Sequence, residues 1–84
     1  MIIINVTADD IVNGIRGKCV SCPVALAISK VFPKYFVVVR NTEVHLNHSA
    51  LVQTIQLPNS AVNFIDDFDN NKPVEPFSFE LDYE

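Results

Sequence analysis

The chain has 84 residues, of which 49% are hydrophobic and 19% are charged, and only two are glycine. This length and composition predict a single globular domain over residues 1–84 and argue against a disordered or low-complexity chain. The formal net charge of −4 argues against nucleic-acid binding, because Lys and Arg contacts with phosphates supply most of that affinity.

The charges are divided unevenly along the chain. Residues 1–42 carry five basic and two acidic side chains, whereas residues 43–84 carry one basic and eight acidic side chains. The two parts therefore have net charges of +3 and −7. We interpret this mainly as an acidic, solvated C-terminal half, and the alternative is a basic end that meets an anionic ligand.

The N-terminal residues do not have the pattern of a targeting signal. The apolar run Ile2–Val6 has no basic segment before it and is much shorter than the apolar core of a signal peptide. No run of the chain is long enough to span a bilayer. We therefore expect a soluble cytoplasmic protein without membrane contact, in which Cys19 and Cys22 are reduced thiols.

The first residues predict a strand followed by a short helix. Ile2–Val6 is a continuous, β-branched run that is typical of a buried strand. Thr7 with Asp10 three residues later resembles a capping box, in which two side chains satisfy backbone N–H groups at a helix start. The pattern predicts a helix over Ala8–Asn13 that ends at Gly14.

A second, longer helix is predicted over Cys22–Phe32. Pro23 suits its first turn, because proline lacks the N–H group that has no intrahelical partner there. Pro33 ends the helix. Apolar side chains at helical spacing should form the face that packs against the sheet: Val24, Ala27, Ile28, Val31 and Phe32.

Three consecutive strands are predicted next, over Tyr35–Arg40, Glu43–Asn47 and Leu51–Leu57. The first is rich in β-branched and aromatic residues, and the other two alternate between apolar and polar residues. Asn41 and Thr42 are expected to form a tight turn between the first two strands. One face of each strand should therefore meet a core.

The remaining residues predict a helix and a last strand. Pro58 stops the preceding strand, and Asn59 with Ser60 supplies a helix cap. The apolar stripe of the helix consists of Ala61, Phe64, Ile65 and Phe68. The last strand places four side chains on one face: Phe77, Phe79, Leu81 and Tyr83.

The predicted element order is β-α-α-β-β-β-α-β. Since several strands have one polar face, helices should cover only the opposite face, which gives a two-layer α+β sandwich. The helical connection from the first strand to Tyr35–Arg40 is long enough for a right-handed parallel crossover. We therefore expect a mixed sheet with the helices on one face.

Both ends of the chain carry distinctive segments. A short apolar strand ends in Val6-Thr7, a loop carries Cys-x-x-Cys-Pro-Val-Ala-Leu-Ala from Cys19, and FIDDFDNNKPVEPFSFEL begins at Phe64. Over roughly residues 2–28 and 57–81 the chain resembles a family of small uncharacterised proteins encoded by bacteriophages. The resemblance implies a phage accessory protein in the cytoplasm of an infected bacterium, and it assigns no catalytic residue.

The two cysteines permit a redox interpretation. A helix N-terminus stabilises thiolates, and Arg16 and Lys18 add positive charge near Cys19 and Cys22. The motif follows a glycine loop, however, whereas a thioredoxin-like motif directly follows a strand. We favour the alternative in which both cysteines pack as small apolar groups where the loop enters the helix.

Zinc binding is a further alternative for the cysteines. Cys19, Cys22, His45 and His48 are suitable ligand types. Only two residues separate the histidines, where three to five are usual, and positions 45 and 48 of a strand face opposite ways. We therefore expect no metal and no cofactor, with these four residues as the ligands if a metal does bind.

Two binding hypotheses remain, and no catalytic residue is identified. The preferred one is non-enzymatic binding of a host protein, or of a second copy of the chain, through Phe77, Phe79 and Tyr83 of the last strand. The alternative is a phosphate-bearing ligand, such as a nucleotide signal of host immunity, bound where the second helix starts. The residues of that anion site are Arg16, Lys18, Ser21 and Cys22.

Overall fold

A computed structural model describes residues 1–40 and 42–83. Within these residues, three helices and five strands follow one another in the predicted order. They are β1 (Ile2–Val6), α1 (Ala8–Asn13), α2 (Pro23–Val31), β2 (Phe36–Arg40), β3 (Glu43–His48), β4 (Leu51–Gln56), α3 (Asn59–Asp69) and β5 (Phe77–Leu81). The turn expected at Asn41 and Thr42 includes Asn41, which lies outside the described residues.

The described strands form two antiparallel sheets. β1 pairs with β5, from Ile2 opposite Leu81 to Val6 opposite Phe77, and β2, β3 and β4 form the second sheet in that order. This arrangement differs from the expected mixed sheet, because β1 and β2 are not paired in parallel. The edge of β2 that faces away from β3 is occupied by the loop before α2, where the Val39 N–H donates to the Cys19 carbonyl at 2.8 Å.

The helix α2 lies against both sheets and contacts β1 and β2. Its Val24, Ile28 and Phe32 side chains are buried, as the helical spacing predicts. Val31 differs from the prediction, since it is 41% exposed at the last residue of the helix. Along β1, β2 and β5, buried positions alternate with more exposed ones, so one face of each sheet meets the core. The α+β class is therefore confirmed.

The ends of the helices follow local sequence signals to different degrees. The capping box of α1 is formed, because the Thr7 N–H donates to the Asp10 carboxylate at 3.0 Å and the Asp10 N–H to the Thr7 hydroxyl at 3.2 Å. Asp10 also accepts a hydrogen bond from the Lys30 ammonium at 2.9 Å, which ties α1 to the end of α2. The cap predicted at Asn59 and Ser60 is not observed, since α3 begins after Pro58 without a side-chain cap.

Candidate functional site

A pocket of about 240 Å³ lies beside the cysteine loop. Its walls are residues 17–19 and Cys22 from the loop before α2, Val39 and Arg40 from the end of β2, and Ile65 and Asp69 of α3. The pocket therefore brings together one part of the anion site predicted from the sequence and residues that are distant along the chain.

Cys22 is a structural residue at the start of α2. It is 5% exposed, and its sulfur accepts a hydrogen bond from the Ala25 N–H at 3.4 Å, as an N-cap side chain does. Burial raises the pKa of the Cys22 thiol above its ordinary value of 9.0, and the charge of Asp69 raises it further, although nearby backbone N–H groups act in the opposite direction. The thiol is therefore uncharged at neutral pH.

The two cysteines have different environments. Cys19 is exposed and Cys22 is buried, and both are free thiols. A redox pair needs an accessible thiolate at the helix N-terminus. Cys22, the residue at that position, is buried and protonated, which agrees with a packing and capping role, whereas Cys19 is the accessible thiol of the two.

The first turn of α2 is buried. Pro23, Val24 and Ala25 are buried, and the Cys22 sulfur already accepts the Ala25 N–H. An anion that approached this helix end would therefore meet apolar side chains instead of unpaired N–H groups. The expectation that a phosphate binds these amides has no support in this geometry.

Arg16 is bound to the C-terminal end of α3. Its Nε donates to the Phe68 carbonyl oxygen at 3.1 Å, and its Nη2 donates to the Asn71 side-chain oxygen at 2.6 Å. The guanidinium also lies 5.9 Å from the centre of the Phe68 ring. Arg16 therefore stabilises the end of a helix, and neither it nor Ser21 lines the pocket.

Lys18 and Arg40 are the basic side chains that line the pocket. Within residues 1–40 and 42–83, neither of them takes part in a salt bridge. The Asp69 carboxylate accepts a hydrogen bond from the Gly17 N–H at 3.2 Å and contributes one negative charge to the same walls. Sequence reasoning missed Arg40, because only the folded chain brings the end of β2 beside the cysteine loop.

The four predicted zinc ligands are not brought together. His45 Nε2 lies 3.1 Å from Glu43 Oε1 on the half-buried face of β3, and the His48 ring lies 5.5 Å from the Tyr35 ring. Cys19 and Cys22 lie at the pocket instead. In the part of the chain that the structure describes, no three His, Cys, Asp or Glu side chains are grouped so that they can hold a metal ion.

The aromatic face of β5 belongs to the core. Phe79 is 5% exposed, and Phe77 stacks on it with ring centres 5.6 Å apart. Phe77 also stacks on Phe64 of α3 at 4.7 Å, and its exposed part lines an open groove. Tyr83 packs on Phe32 with ring centres 4.8 Å apart. These contacts pack the face against the core, while Phe77 and Tyr83 stay partly exposed, so the docking role of this face remains a prediction.

The sequence reasoning missed a more open surface at β4. Leu51 is 75% exposed, although the alternation of β4 places it on the same face as the buried Ile55 and Leu57, and Val52 on the opposite face is 60% exposed. Phe36 of β2, which is 62% exposed, lies in the same cross-strand row as Val52, with Asn47 between them. The signal available in the sequence was the absence of charge from Leu51 to Gln56.

Among residues 1–40 and 42–83, no strand pairs with the side of β4 that faces away from β3. The Leu57 N–H donates to the Thr42 carbonyl at 2.9 Å, in continuation of the β3–β4 register. Because hydrogen-bonded and non-hydrogen-bonded pairs alternate in antiparallel sheets, the odd-numbered residues of β4 direct their backbone groups toward β3. The N–H and C=O groups of Val52, Thr54 and Gln56 therefore point away from the sheet.

No helix of the described residues is long and apolar enough to cross a membrane. Comparison with known proteins finds no matching protein family, curated protein or solved structure. The surfaces that can support a function are therefore compared by their geometry: the pocket at Lys18 and Arg40, and the open edge of β4.

Proposed function

We propose that this protein acts by binding another protein chain along the open edge of β4, without catalytic chemistry of its own. In the setting that the family resemblance implies, it is a phage accessory protein in the bacterial cytoplasm that binds a host protein or a second copy of itself. The observation that carries the proposal is an edge strand with free backbone groups, no charge and exposed apolar side chains.

An open strand edge is a template for pairing with a further strand. Natural proteins usually block such edges with Lys, Pro, a bulge or a covering segment. In this protein the edge of β2 is covered by the loop at Cys19. β4, with the sequence LVQTIQ, contains no charged residue and no proline, and five of its six residues are exposed.

The chemistry of the edge fits strand addition. In this mode of recognition the backbone hydrogen bonds supply affinity, and side chains that flank them supply specificity. Val52, Thr54 and Gln56 present the backbone groups, while Leu51 and Val52 present apolar surface. A partner in extended conformation therefore satisfies both kinds of group at once.

A photoreactive amino acid in place of Val52 tests this function in cells. We expect covalent adducts with a protein chain, identified by mass spectrometry, because Val52 lies beside the proposed partner strand. Thr54→Pro should remove the adducts, since proline has no N–H to donate from the open edge. The matched position is Val12 of α1, which is 80% exposed and should give no adduct. The same adducts from both positions, or none from Val52, contradict the proposal.

A second candidate function is the binding of a small anionic ligand in the pocket. The specific observation in its favour is that Lys18 and Arg40 line one pocket of about 240 Å³ together with the Gly17 backbone. A guanidinium and an ammonium are the groups that bind phosphates most directly. This pocket shares Lys18 and Cys22 with the alternative anion site predicted from the sequence, and adds Arg40.

Nuclear magnetic resonance titration with inorganic phosphate and with adenosine monophosphate tests the pocket. We expect saturable shifts of the amide signals of residues 17–19. Lys18→Gln and Arg40→Gln should each weaken binding about tenfold or more, because a hydrogen bond to a charged group contributes about 1.5–3 kcal/mol. Lys34→Gln, a change at an exposed lysine outside the pocket, serves as the control. Shifts that do not saturate, or that survive both pocket changes, contradict this candidate.

A further inference from the structure

We infer that the chain paired with β4 is a second copy of this protein, with the two β4 strands antiparallel about a two-fold axis at Thr54. The inference rests on the proposed function of the β4 edge and names its partner. In the resulting dimer, the two three-stranded sheets become one continuous sheet of six strands. Such a two-fold contact uses the same surface patch on both subunits.

Charge is the first argument for a second copy. The chain carries a net charge of −4, so two copies repel each other overall. β4 is free of charge, and therefore two copies of this strand meet without opposing like charges. A basic partner segment, by contrast, finds no carboxylate on β4 to pair with.

The nearest charge on the neighbouring strand is also compatible with self-pairing. Glu43 lies opposite Gln56 on β3, and its carboxylate interacts with His45 at 3.1 Å and with the Gln56 amide at 3.4 Å. With the axis at Thr54, the two Glu43 side chains of the dimer are separated by three strand spacings and four residues along the strands. That is roughly 20 Å, well beyond the screening length of about 8 Å at physiological salt.

The direction of the backbone groups selects the register. Within β4, only Val52, Thr54 and Gln56 present outward N–H and C=O groups. In a paired dimer, these residues of one subunit must therefore lie opposite the same set in the other subunit. An axis at Thr54 pairs Thr54 with itself and Val52 with Gln56 on both sides, and each such pair exchanges two hydrogen bonds. An axis at Gln53 pairs Val52 with Thr54 but sets Gln56 against Ala50, outside the strand. The first register therefore uses the whole edge.

The same register explains the exposed apolar side chain at the start of β4. It places Leu51, which is 75% exposed in the single chain, opposite Leu57 of the partner subunit. Two threonines that face each other at the axis form a favourable cross-strand pair. A contact made by one strand from each subunit buries less than about 1,200 Å², which is typical of weak and reversible complexes. The dimer should therefore dissociate on dilution.

Sedimentation velocity over a wide range of protein concentrations measures the association. We expect the average mass of the sedimenting species to rise from 9.4 kDa toward twice that value as the protein concentration increases. Thr54→Lys and Thr54→Asp should each weaken dimerisation at least tenfold, because like charges then face each other at the axis. An equimolar mixture of the two variants should associate again, since the opposed charges become complementary. Val12→Lys, on the exposed side of α1, should leave the dimer unchanged.

An engineered disulfide between the subunits reports the register of the two β4 strands directly. In a Cys19→Ser background, Thr54→Cys should form an intermolecular disulfide under mild oxidation, because paired residues on the axis have Cα atoms about 5.5 Å apart. Gln56→Cys is the matched variant: it faces Val52 of the partner subunit and should remain unbridged. Preferential bridging through Gln56→Cys would show that the register is wrong.

The outcomes separate this inference from the proposed function. A dimer that persists in Thr54→Lys uses another surface and overturns the inference, as does a protein that remains monomeric at every concentration. If a monomeric protein still forms adducts from Val52 that are lost in Thr54→Pro, the edge binds a different protein, and the proposed function stands without the inference. If neither a dimer nor adducts are observed, the inference and the proposed function are both wrong. Circular dichroism and thermal melting of each Thr54 variant confirm that the exposed substitution leaves the fold intact.

Discussion

The Cys19 carbonyl accepts a hydrogen bond from the Val39 N–H at 2.8 Å, so the cysteine loop lies where a further strand would pair with β2. This contact closes one edge of the three-stranded sheet with the protein's own chain and leaves β4 at the opposite edge. It also places Cys19 and Cys22 in the wall of the pocket with Arg40. The same loop therefore covers the β2 edge and forms part of the pocket.

The buried Asp10 carboxylate should make the protein sensitive to acid. Burial by itself raises the pKa of Asp10, but hydrogen bonds from the Thr7 N–H and the Lys30 ammonium outweigh it and hold the pKa below its ordinary value of 3.8. A lowered pKa in the folded state contributes stability above the unfolded pKa, and this stability is lost as the pH falls through the folded value. Urea unfolding should therefore show a falling free energy of unfolding below about pH 4.

Asp10→Asn should flatten that pH dependence and lower the free energy of unfolding at pH 7 by about 1–3 kcal/mol, because the Lys30 ammonium loses its charged partner. Asp9→Asn, at the neighbouring exposed carboxylate, is the matched control and should change neither quantity appreciably. An unchanged acid dependence in Asp10→Asn would show that other carboxylates determine it.

The two thiols should react at very different rates. Cys19 is exposed, whereas Cys22 is buried, hydrogen-bonded to Ala25 and protonated at neutral pH. With a disulfide reagent such as dithionitrobenzoate, we expect one fast thiol per chain and a second that reacts only as the protein unfolds. Cys19→Ser should abolish the fast phase. Equal rates for both thiols in the native protein would contradict the capping role of Cys22.

Arg16 should contribute to stability. The end of α3 carries acidic residues that interact unfavourably with the helix dipole, and the Arg16 guanidinium donates to Phe68 and Asn71 at this end. Arg16→Ala should lower the free energy of unfolding by about 1–2 kcal/mol. Arg16→Lys should recover only part of the loss, because an ammonium lacks the fork of N–H groups that makes both contacts.

Lys18→Ala is the control for Arg16, since Lys18 lines the pocket without a salt bridge to any described residue. Its effect on the free energy of unfolding should remain within about 0.5 kcal/mol. Equal destabilisation by both changes in urea titrations would mean that the end of α3 does not depend on Arg16.

The contact of α2 with the sheets should account for a large part of the stability. Ile28 is fully buried at this contact, and Ile28→Ala should lower the free energy of unfolding by about 2–5 kcal/mol through lost contacts and a residual cavity. Val31→Ala, in the same helix but 41% exposed, should cost far less. Chemical denaturation of both variants measures the difference, and similar losses would contradict the packing described for α2.

The order of the secondary-structure elements was determined by the sequence alone, since its signals are local. The capping box is recognised from Thr7 and Asp10 alone, and the helix start at Pro23 is recognised from the first turn alone. Alternation of apolar and polar residues over five or six positions is sufficient to predict a strand. These patterns act through backbone geometry within a few residues, so they can be recognised without knowledge of the rest of the chain. The capping box at α1 is confirmed for this reason.

Tertiary structure alone decided which strands pair and which apolar faces are covered. All strands present the same backbone groups, so nothing in Ile2–Val6 indicates that Phe77–Leu81 pairs with it in place of Phe36–Arg40. Alternation shows that side chains share a face, but it does not show whether a helix lies over that face: Phe79 is covered, and Leu51 is not. Likewise, long-range packing places Lys18 and Arg40 in the walls of one pocket. Long-range hydrogen bonding places the Arg16 side chain at the end of α3, outside that pocket.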